Sequence, residues 1–154
     1  MRISFFVPGI PKPAGSKRAF VRGGRAIITE DCKTSKDWRG DVKRFAVDAV
    51  TQQYTGTDAW QTLDGPLSLH VVFYMQRPKN HYRKNGELKP DAPYHHAKRP
   101  DATKLLRGLE DALTGILWGD DAQIVRQEVE KRYIGLGRNS PGAWVSVESI
   151  EARV

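Results

Sequence analysis

Hydrophobic and polar positions follow two different periods along the 154-residue chain, and the changes of period mark the predicted elements. Apolar runs at 3–7, 67–75 and 143–150 are rich in β-branched and aromatic residues and bounded by Pro or Gly, which predicts strands. The run at 67–75 is the most continuous, so we expect a central strand there. Gly23-Gly24, within residues 20–29, predicts a tight hairpin.

Two segments carry the period of an amphipathic helix. Residues 35–53 form the first, preceded by Thr34 and, three positions later, Asp37, which resembles a capping box. Residues 102–115 form the second, which we expect to end near Gly115. Its apolar face contains Leu105, Leu106, Leu109, Ala112, Leu113 and Ile116.

The length of 154 residues predicts one domain over residues 1–154, which contains these strands and two main helices. Residues 125–134 fit a period of two and also a period of four, so their secondary structure stays open. Residues 77–100 show no apolar period and contain seven basic and two acidic residues. We expect a mobile basic loop there, either a flap that contacts DNA or a solvated surface loop.

Charge and cysteine content narrow the possible partners. The chain has 25 Lys and Arg against 18 Asp and Glu, a net charge of +7, and residues 1–25 carry six basic side chains and no acidic one. A polyanionic partner is therefore plausible. Cys32 is the only cysteine, which excludes disulfide frameworks and Cys-rich zinc modules and fits a reducing cytoplasm. We expect no membrane partner and, because no P-loop pattern is present, no nucleotide cofactor.

The second predicted helix has a polar face opposite its leucines. Lys104, Arg107, Gly108 and Asp111 cluster there, next to Asp101 at the helix start. Each position also has a plainer explanation. Asp101 could be only the N-cap of the helix, and Arg107 and Asp111 could be a solvated pair at i, i+4.

Asp120 and Asp121 follow a chain reversal at Trp118-Gly119, so we expect them to approach Asp101 in space. Converging carboxylates are what Mg²⁺-dependent phosphodiester hydrolysis needs, because the hard cation prefers carboxylate oxygens and activates a water. A neighbouring cation would neutralise further charge on the phosphate. The plainer alternative is that the two aspartates form a turn and a helix cap.

Three short segments in this order resemble the RusA family of Holliday junction resolvases, the phage-type crossover junction endodeoxyribonucleases. They are Lys-Arg-Pro-Asp at 98–101, Glu-Asp-Ala-Leu-Thr-Gly at 110–115 and Asp-Asp-Ala-Gln-Ile at 120–124. The stretch Val-Pro-Gly-Ile-Pro-Lys-Pro-Ala-Gly-Ser-Lys-Arg at 7–18 agrees more weakly. The resemblance implies a small α/β (α+β) fold in which a mixed sheet is packed by two main helices. It also implies a homodimer that binds four-way and other branched DNA in recombination and repair, and cuts it with Mg²⁺ or, alternatively, Mn²⁺. We expect it in the cytoplasm of a bacterial or phage-infected cell.

The same resemblance implies roles for individual residues. Asp101 and Asp121 take the positions of metal-binding aspartates, with Asp120 beside them as a further ligand, and Arg107 takes the position of the catalytic lysine. Basic residues on the predicted loops are expected to hold the DNA arms. They are Lys12, Lys17, Arg18, Arg83, Lys84, Lys98 and Arg99.

Two positions depart from the family pattern Asp-x-Asp-Asn. Thr103 and Lys104 replace the second aspartate and the asparagine, so the metal site is one carboxylate short. Asp111 lies about 15 Å along an ideal helix from Asp101 and is expected to orient Arg107 or a metal-bound water instead. Two alternatives therefore stay open: a protein of the same fold that binds branched DNA without cutting it, and an unrelated nucleic-acid-binding module.

Overall fold

Six strands and two helices follow one another in the described part of the chain. The structure is a computed structural model that describes residues 1–14, 17–22, 25–30, 35–54, 60–135 and 138–151, with the backbone alone described for 17–22, 25–30 and 35–36. The strands are β1 (Arg2–Pro8), β2 (Lys17–Arg22), β3 (Arg25–Glu30), β4 (Leu67–Met75), β5 (Ile124–Tyr133) and β6 (Gly142–Ser149). The helices are α1 (Ser35–Gln53) and α2 (Ala102–Leu113).

Four strands form one mixed sheet in the order β1-β6-β4-β5. Strand β6 is antiparallel to both β1 and β4, whereas β4 and β5 run parallel, from Leu67 opposite Ile124 to Met75 opposite Tyr133. The predicted mixed sheet and the central position of β4 are confirmed. Strands β2 and β3 pair in a separate two-stranded sheet, as the hairpin prediction required. Its turn residues, Gly23-Gly24, and the predicted cap residue Thr34 lie outside the described residues.

Alternate side chains of the large sheet form a core with both helices. Helix α1 packs on β1 and on α2, and α2 packs on β5, so the two helices contact each other over the sheet. The leucine face predicted for α2 is buried, and the domain is a single α+β unit. Among the described residues, no helix is long and apolar enough to cross a membrane. The largest fully buried side chains include Trp118, Phe73, Ile3, Leu67, Leu69, Leu105, Leu109 and Leu113.

Residues 125–134, whose secondary structure the sequence did not decide, belong almost entirely to strand β5. It is the parallel neighbour of β4 at the edge of the sheet, and three of its six polar side chains, those of Arg126, Gln127 and Glu128, are exposed. Val129 and Tyr133 contact the core, while Val125 is 62% exposed. The incomplete burial explains why its apolar positions did not distinguish a period of two from a period of four.

The predicted loop 77–100 contains a short 3-10 turn at Lys79–His81 and residues of two isolated β-bridges, Tyr82 with Leu88 and His95 with Arg132. Both of its ends are attached to β5 or to the residue after it. The buried Arg77 donates from Nε to the Ile134 carbonyl at 2.6 Å and from Nη1 to the Pro93 carbonyl at 2.8 Å. Near the other end, the His96 N–H donates to the Lys131 carbonyl at 3.0 Å. The mobility of the intervening residues stays a prediction.

A substitution at Gly142 tests the packing of β1 against β6. An added Cβ would lie 2.3 Å from both Phe6 Cζ and the Val7 carbonyl oxygen. We therefore expect Gly142→Ala to lower the free energy of unfolding by about 1–3 kcal/mol. Gly40→Ala is the matched control, because no described atom lies within 4 Å of an added Cβ there and a helix gains about 1 kcal/mol from this change. Urea unfolding measures both, and equal effects at the two positions would contradict this packing.

Candidate active site

Asp101 occupies the N-cap position of α2, with φ −69° and ψ 142°. Its backbone oxygen accepts the Leu105 N–H at 3.1 Å, as an N-cap carbonyl does. Within the described residues, however, its side chain makes no capping hydrogen bond, and the residue is exposed. The capping explanation therefore accounts for the backbone of Asp101 but leaves its carboxylate available for a ligand.

The residues around Asp101 line an open cavity of about 630 Å³. It lies beyond Met75, the last residue of β4, so it opens at the carboxyl end of the parallel strand pair, where α/β folds commonly bind ligands. Three cations and one carboxylate share its wall with apolar side chains. The lining residues are Ile10, Pro11, Lys12, Pro13, Met75, Arg99, Pro100, Asp101 and Lys104.

Lys131 of β5 fixes the segment that leads to Asp101. Its ammonium group donates to the Lys98 carbonyl at 2.6 Å and to the Pro100 carbonyl at 2.7 Å. Burial lowers the pKa of Lys131, and the charge of Asp101 opposes that shift. The sequence analysis missed this residue. The available signal was a lysine in phase with Val129 and Tyr133, the core-facing positions of the strand.

Asp121 lies at the other end of α2. Its Oδ1 accepts the Thr114 hydroxyl at 2.5 Å and the Trp118 indole N–H at 2.8 Å. Thr114 is the C-cap of α2, and Trp118 is completely buried, so the indole holds the carboxylate against a rigid part of the core. Both hydrogen bonds use the same carboxylate oxygen.

Asp120 has the role that the plainer interpretation gave it. Its side chain accepts the Ala122 N–H at 2.8 Å and caps the 3-10 turn Asp121–Gln123. The Gln123 side chain returns to the backbone, accepting the Asp120 N–H at 3.0 Å and the Gly119 N–H at 2.9 Å, which completes a capping box. This cap orders the turn that carries Asp121.

The expected approach of Asp101 to Asp121 does not occur within one chain. Asp101 is the N-cap of α2, Asp121 is hydrogen-bonded to the C-cap residue Thr114, and the 13 residue-to-residue steps between Asp101 and Thr114 rise about 20 Å. The chain does reverse after α2, but the reversal carries Asp121 to the start of β5, whereas Asp101 lies beside the end of β4. A cation that binds both carboxylates must therefore receive them from two chains.

Other acidic residues gather at the Asp121 end of α2. Glu110 accepts a hydrogen bond from the Gln127 side chain. Burial raises the pKa of Glu110, and the charges of Asp121 and Asp111 raise it further. Asp111 lies beside Arg39 and Lys43 of α1 around a small cavity. No group of three or more His, Cys, Asp or Glu in the described residues is arranged to hold a metal ion.

The polar face of α2 is partly covered. Gly108, placed there by the helical period, is buried against Ala14, and an added Cβ would lie 3.0 Å from the Ala14 nitrogen. Thr103, Lys104, Arg107 and Asp111 are exposed.

In the described residues, no ion pair within 4.0 Å joins Arg107 to Asp111, so the predicted orienting contact is absent. Lys104 rather than Arg107 lines the cavity with Asp101. Lys104 is therefore the better-placed cation for a phosphate bound there.

The basic residues predicted to contact DNA fall into three groups. Lys12 and Arg99 line the cavity, and the exposed Lys98 lies next to Arg99. Arg83 and Lys84 are exposed in the 77–100 loop, where Arg83 lies 3.8 Å from a Glu87 carboxylate oxygen. The side chains of Lys17 and Arg18 lie outside the described structure, although their backbone forms part of β2.

Comparison with known proteins adds two findings. The sequence profile of a family described as Endodeoxyribonuclease RusA matches residues 8–148, which include every predicted site residue. The uncharacterized protein YqaN of Bacillus subtilis (strain 168) is 26% identical over 133 residues, which cover 85% of this chain and 87% of that protein.

Because the Glu110 carboxylate is half-buried, we expect the effect of removing its charge to depend on pH. Because the pKa of Glu110 is raised in the folded protein, ionisation costs stability as the pH rises above the pKa of the unfolded chain. We expect Glu110→Gln to be more stable than the wild type at about pH 8, with the difference disappearing near pH 4. Urea unfolding across this range measures it. Glu128→Gln, at an exposed glutamate of β5, is the control for the loss of one negative charge. A difference for Glu110→Gln that does not change with pH would contradict the burial penalty.

Proposed function

The chain belongs to the RusA endodeoxyribonuclease family, and on this premise we propose that it is a Mg²⁺-dependent endonuclease that cuts four-way and other branched DNA. The family itself implies endonuclease action on DNA and binding of branched DNA. The observation that carries the proposal for this chain is the exposed Asp101 carboxylate, which is not used as a helix cap and lies in a cavity with three cations.

The donor set around Asp101 fits a magnesium ion bound jointly with DNA. Mg²⁺ commonly uses one or two protein carboxylates, substrate phosphate oxygens and water, and it supplies an activated water and charge neutralisation at the phosphate. Asp101 would hold the ion, while Lys104 and Arg99 would bind the phosphate whose ester bond is cut. Lys131 keeps Asp101 in place through the Pro100 carbonyl.

A homodimer would complete this site. Since Asp101 and Asp121 lie at opposite ends of α2, a two-fold arrangement that brings α2 of one chain against α2 of the other in antiparallel fashion can pair each Asp101 with Asp121 of the second chain. Two equivalent sites result, which suits symmetric cleavage of a two-fold-symmetric junction. Asp120 contributes by capping the turn that carries Asp121 and by adding negative charge beside the second ligand.

The alternative is a protein of the same family that binds branched DNA without cutting it. Thr103 favours this alternative, because it is exposed on the first turn of α2 and offers a neutral hydroxyl where the family pattern has a carboxylate. Binding and cleavage must therefore be measured separately.

We expect wild-type protein with Mg²⁺ to cut a labelled four-way junction and to stop when the metal is chelated. Asp101→Asn and Asp121→Asn should each lower the cleavage rate by at least about 100-fold, because each removes a metal ligand. Their affinity for the junction, measured in Ca²⁺ by gel shift, should be unchanged or slightly higher. Asp48→Asn, at an exposed aspartate of α1, is the matched control and should cut normally.

Two results would count against this proposal. Tight binding with no product at any Mg²⁺ or Mn²⁺ concentration would favour the non-cutting alternative. Normal cleavage by both aspartate variants would show that neither carboxylate takes part in the reaction.

A further inference from the structure

The cavity beside Asp101 has two chemically different parts. Its apolar part comes from Ile10, Pro11, Pro13, Met75 and Pro100, which present flat or flexible hydrocarbon surfaces. Its charged part holds three cations against one carboxylate, so the cavity has a net positive charge. An occupant that matches both parts needs a flat, weakly polar body and an attached anion. The charged residues are Lys12, Arg99, Lys104 and Asp101.

The walls of this cavity are tied to the fold on both sides. On one side the Ala14 N–H donates to the Lys104 carbonyl at 3.0 Å, and the absence of a side chain at Gly108 lets the 10–14 segment lie directly on α2. On the other side Lys131 holds the Pro100 carbonyl at 2.7 Å. Since both walls are fixed before any ligand binds, little ordering cost would oppose binding.

We propose that this cavity receives one unpaired nucleotide of a DNA strand at the branch point. The base would lie against Pro11, Pro13 and Met75, whose thioether makes favourable contacts with aromatic rings. The adjoining phosphates would meet Lys12 and Lys104. A volume of about 630 Å³ falls within the range of pockets that enclose small organic ligands, and it accommodates a nucleotide.

A paired base cannot occupy this position, because in a duplex it is stacked between its neighbours and hydrogen-bonded to its partner. Only a nucleotide that has left the stack can place its base against the apolar wall of this cavity, and leaving costs least where the pairing is already interrupted. The cavity would therefore distinguish branched DNA with an unpaired nucleotide from fully paired DNA. This inference rests on the proposed function for the identity of its ligand, since it assigns the nucleotide to the strand held beside Asp101.

A fluorescent base tests this inference directly. Two four-way junctions of the same sequence are compared in Ca²⁺, one carrying a single unpaired 2-aminopurine at the branch point and one without the insertion. We expect the wild type to bind the first about tenfold more tightly and to shield the 2-aminopurine from quenching by acrylamide. Ile10→Ser and Lys12→Gln should each remove most of this preference and the shielding.

Two matched variants control for general effects. Val125→Ser removes another exposed aliphatic side chain, 62% exposed against 52% for Ile10, and should keep the preference. Lys84→Gln removes a loop cation outside the cavity and should lower the affinity for both junctions by the same factor. Because Ile10 is more than half exposed, the Ile10→Ser protein should fold normally, which circular dichroism checks.

The outcomes separate this inference from the proposed function. Equal affinity for both junctions with a quencher-accessible 2-aminopurine overturns the nucleotide inference, while metal-dependent cleavage can still be intact. Competition by free deoxynucleoside monophosphate at micromolar concentration also overturns it, because the cavity would then serve a free nucleotide. Failure to bind either junction contradicts the nucleotide inference and the proposed function together.

Discussion

The length of α2 is the constraint on which the rest of this structure depends. The helix connects two parallel neighbours, β4 and β5, so it must span the sheet and deliver the chain from the end of one strand to the start of the next. Its 12 residues separate the residue that precedes it, Asp101, from the turn that follows it, which holds Asp121. A metal site that uses both residues therefore depends on how two chains assemble.

Each end of α2 is held by a polar group that has hydrogen-bond partners, half-buried in the case of Lys131 and fully buried in the case of Trp118. At the first end, the Lys131 ammonium group satisfies two carbonyls of the segment before Asp101. At the other end, the Trp118 indole and the Thr114 hydroxyl share one oxygen of Asp121. Buried polar groups of this kind cost free energy unless they are hydrogen-bonded, so they fix the local geometry closely. Both aspartates are consequently exposed side chains on well-ordered backbone.

The sequence predicted the elements that have a clear period and missed the features that depend on distant contacts. Strand β4 and helix α1 have the predicted bounds because continuous apolar runs and a wide apolar stripe are local signals. Strand β5 remained open because an edge strand buries only part of one face. Gly108 was assigned to a polar surface because no local pattern shows that Ala14 lies on it.

The sequence predicted only part of the candidate site, because the remaining part also depends on distant contacts. The family pattern identified the positions of Asp101 and Asp121, but a chain reversal between them suggested an approach that the intervening helix prevents. The sequence did allow a capping role for Asp120, because the Asp-x-x-Gln spacing of a capping box is a local signal. Lys131 and the apolar wall that includes Met75 come from strands far along the chain, so only the tertiary structure reveals them.

Subunit mixing measures most directly whether two chains share one metal site. Asp101→Asn and Asp121→Asn chains, each inactive alone, are unfolded together and refolded as a mixture. If each site takes Asp101 from one chain and Asp121 from the other, every mixed dimer has one intact site, and the mixture should recover about a quarter of the wild-type rate of single-strand cuts. A mixture that forms mixed dimers, detected by differential tags, and yet stays as inactive as its parents would contradict the shared site.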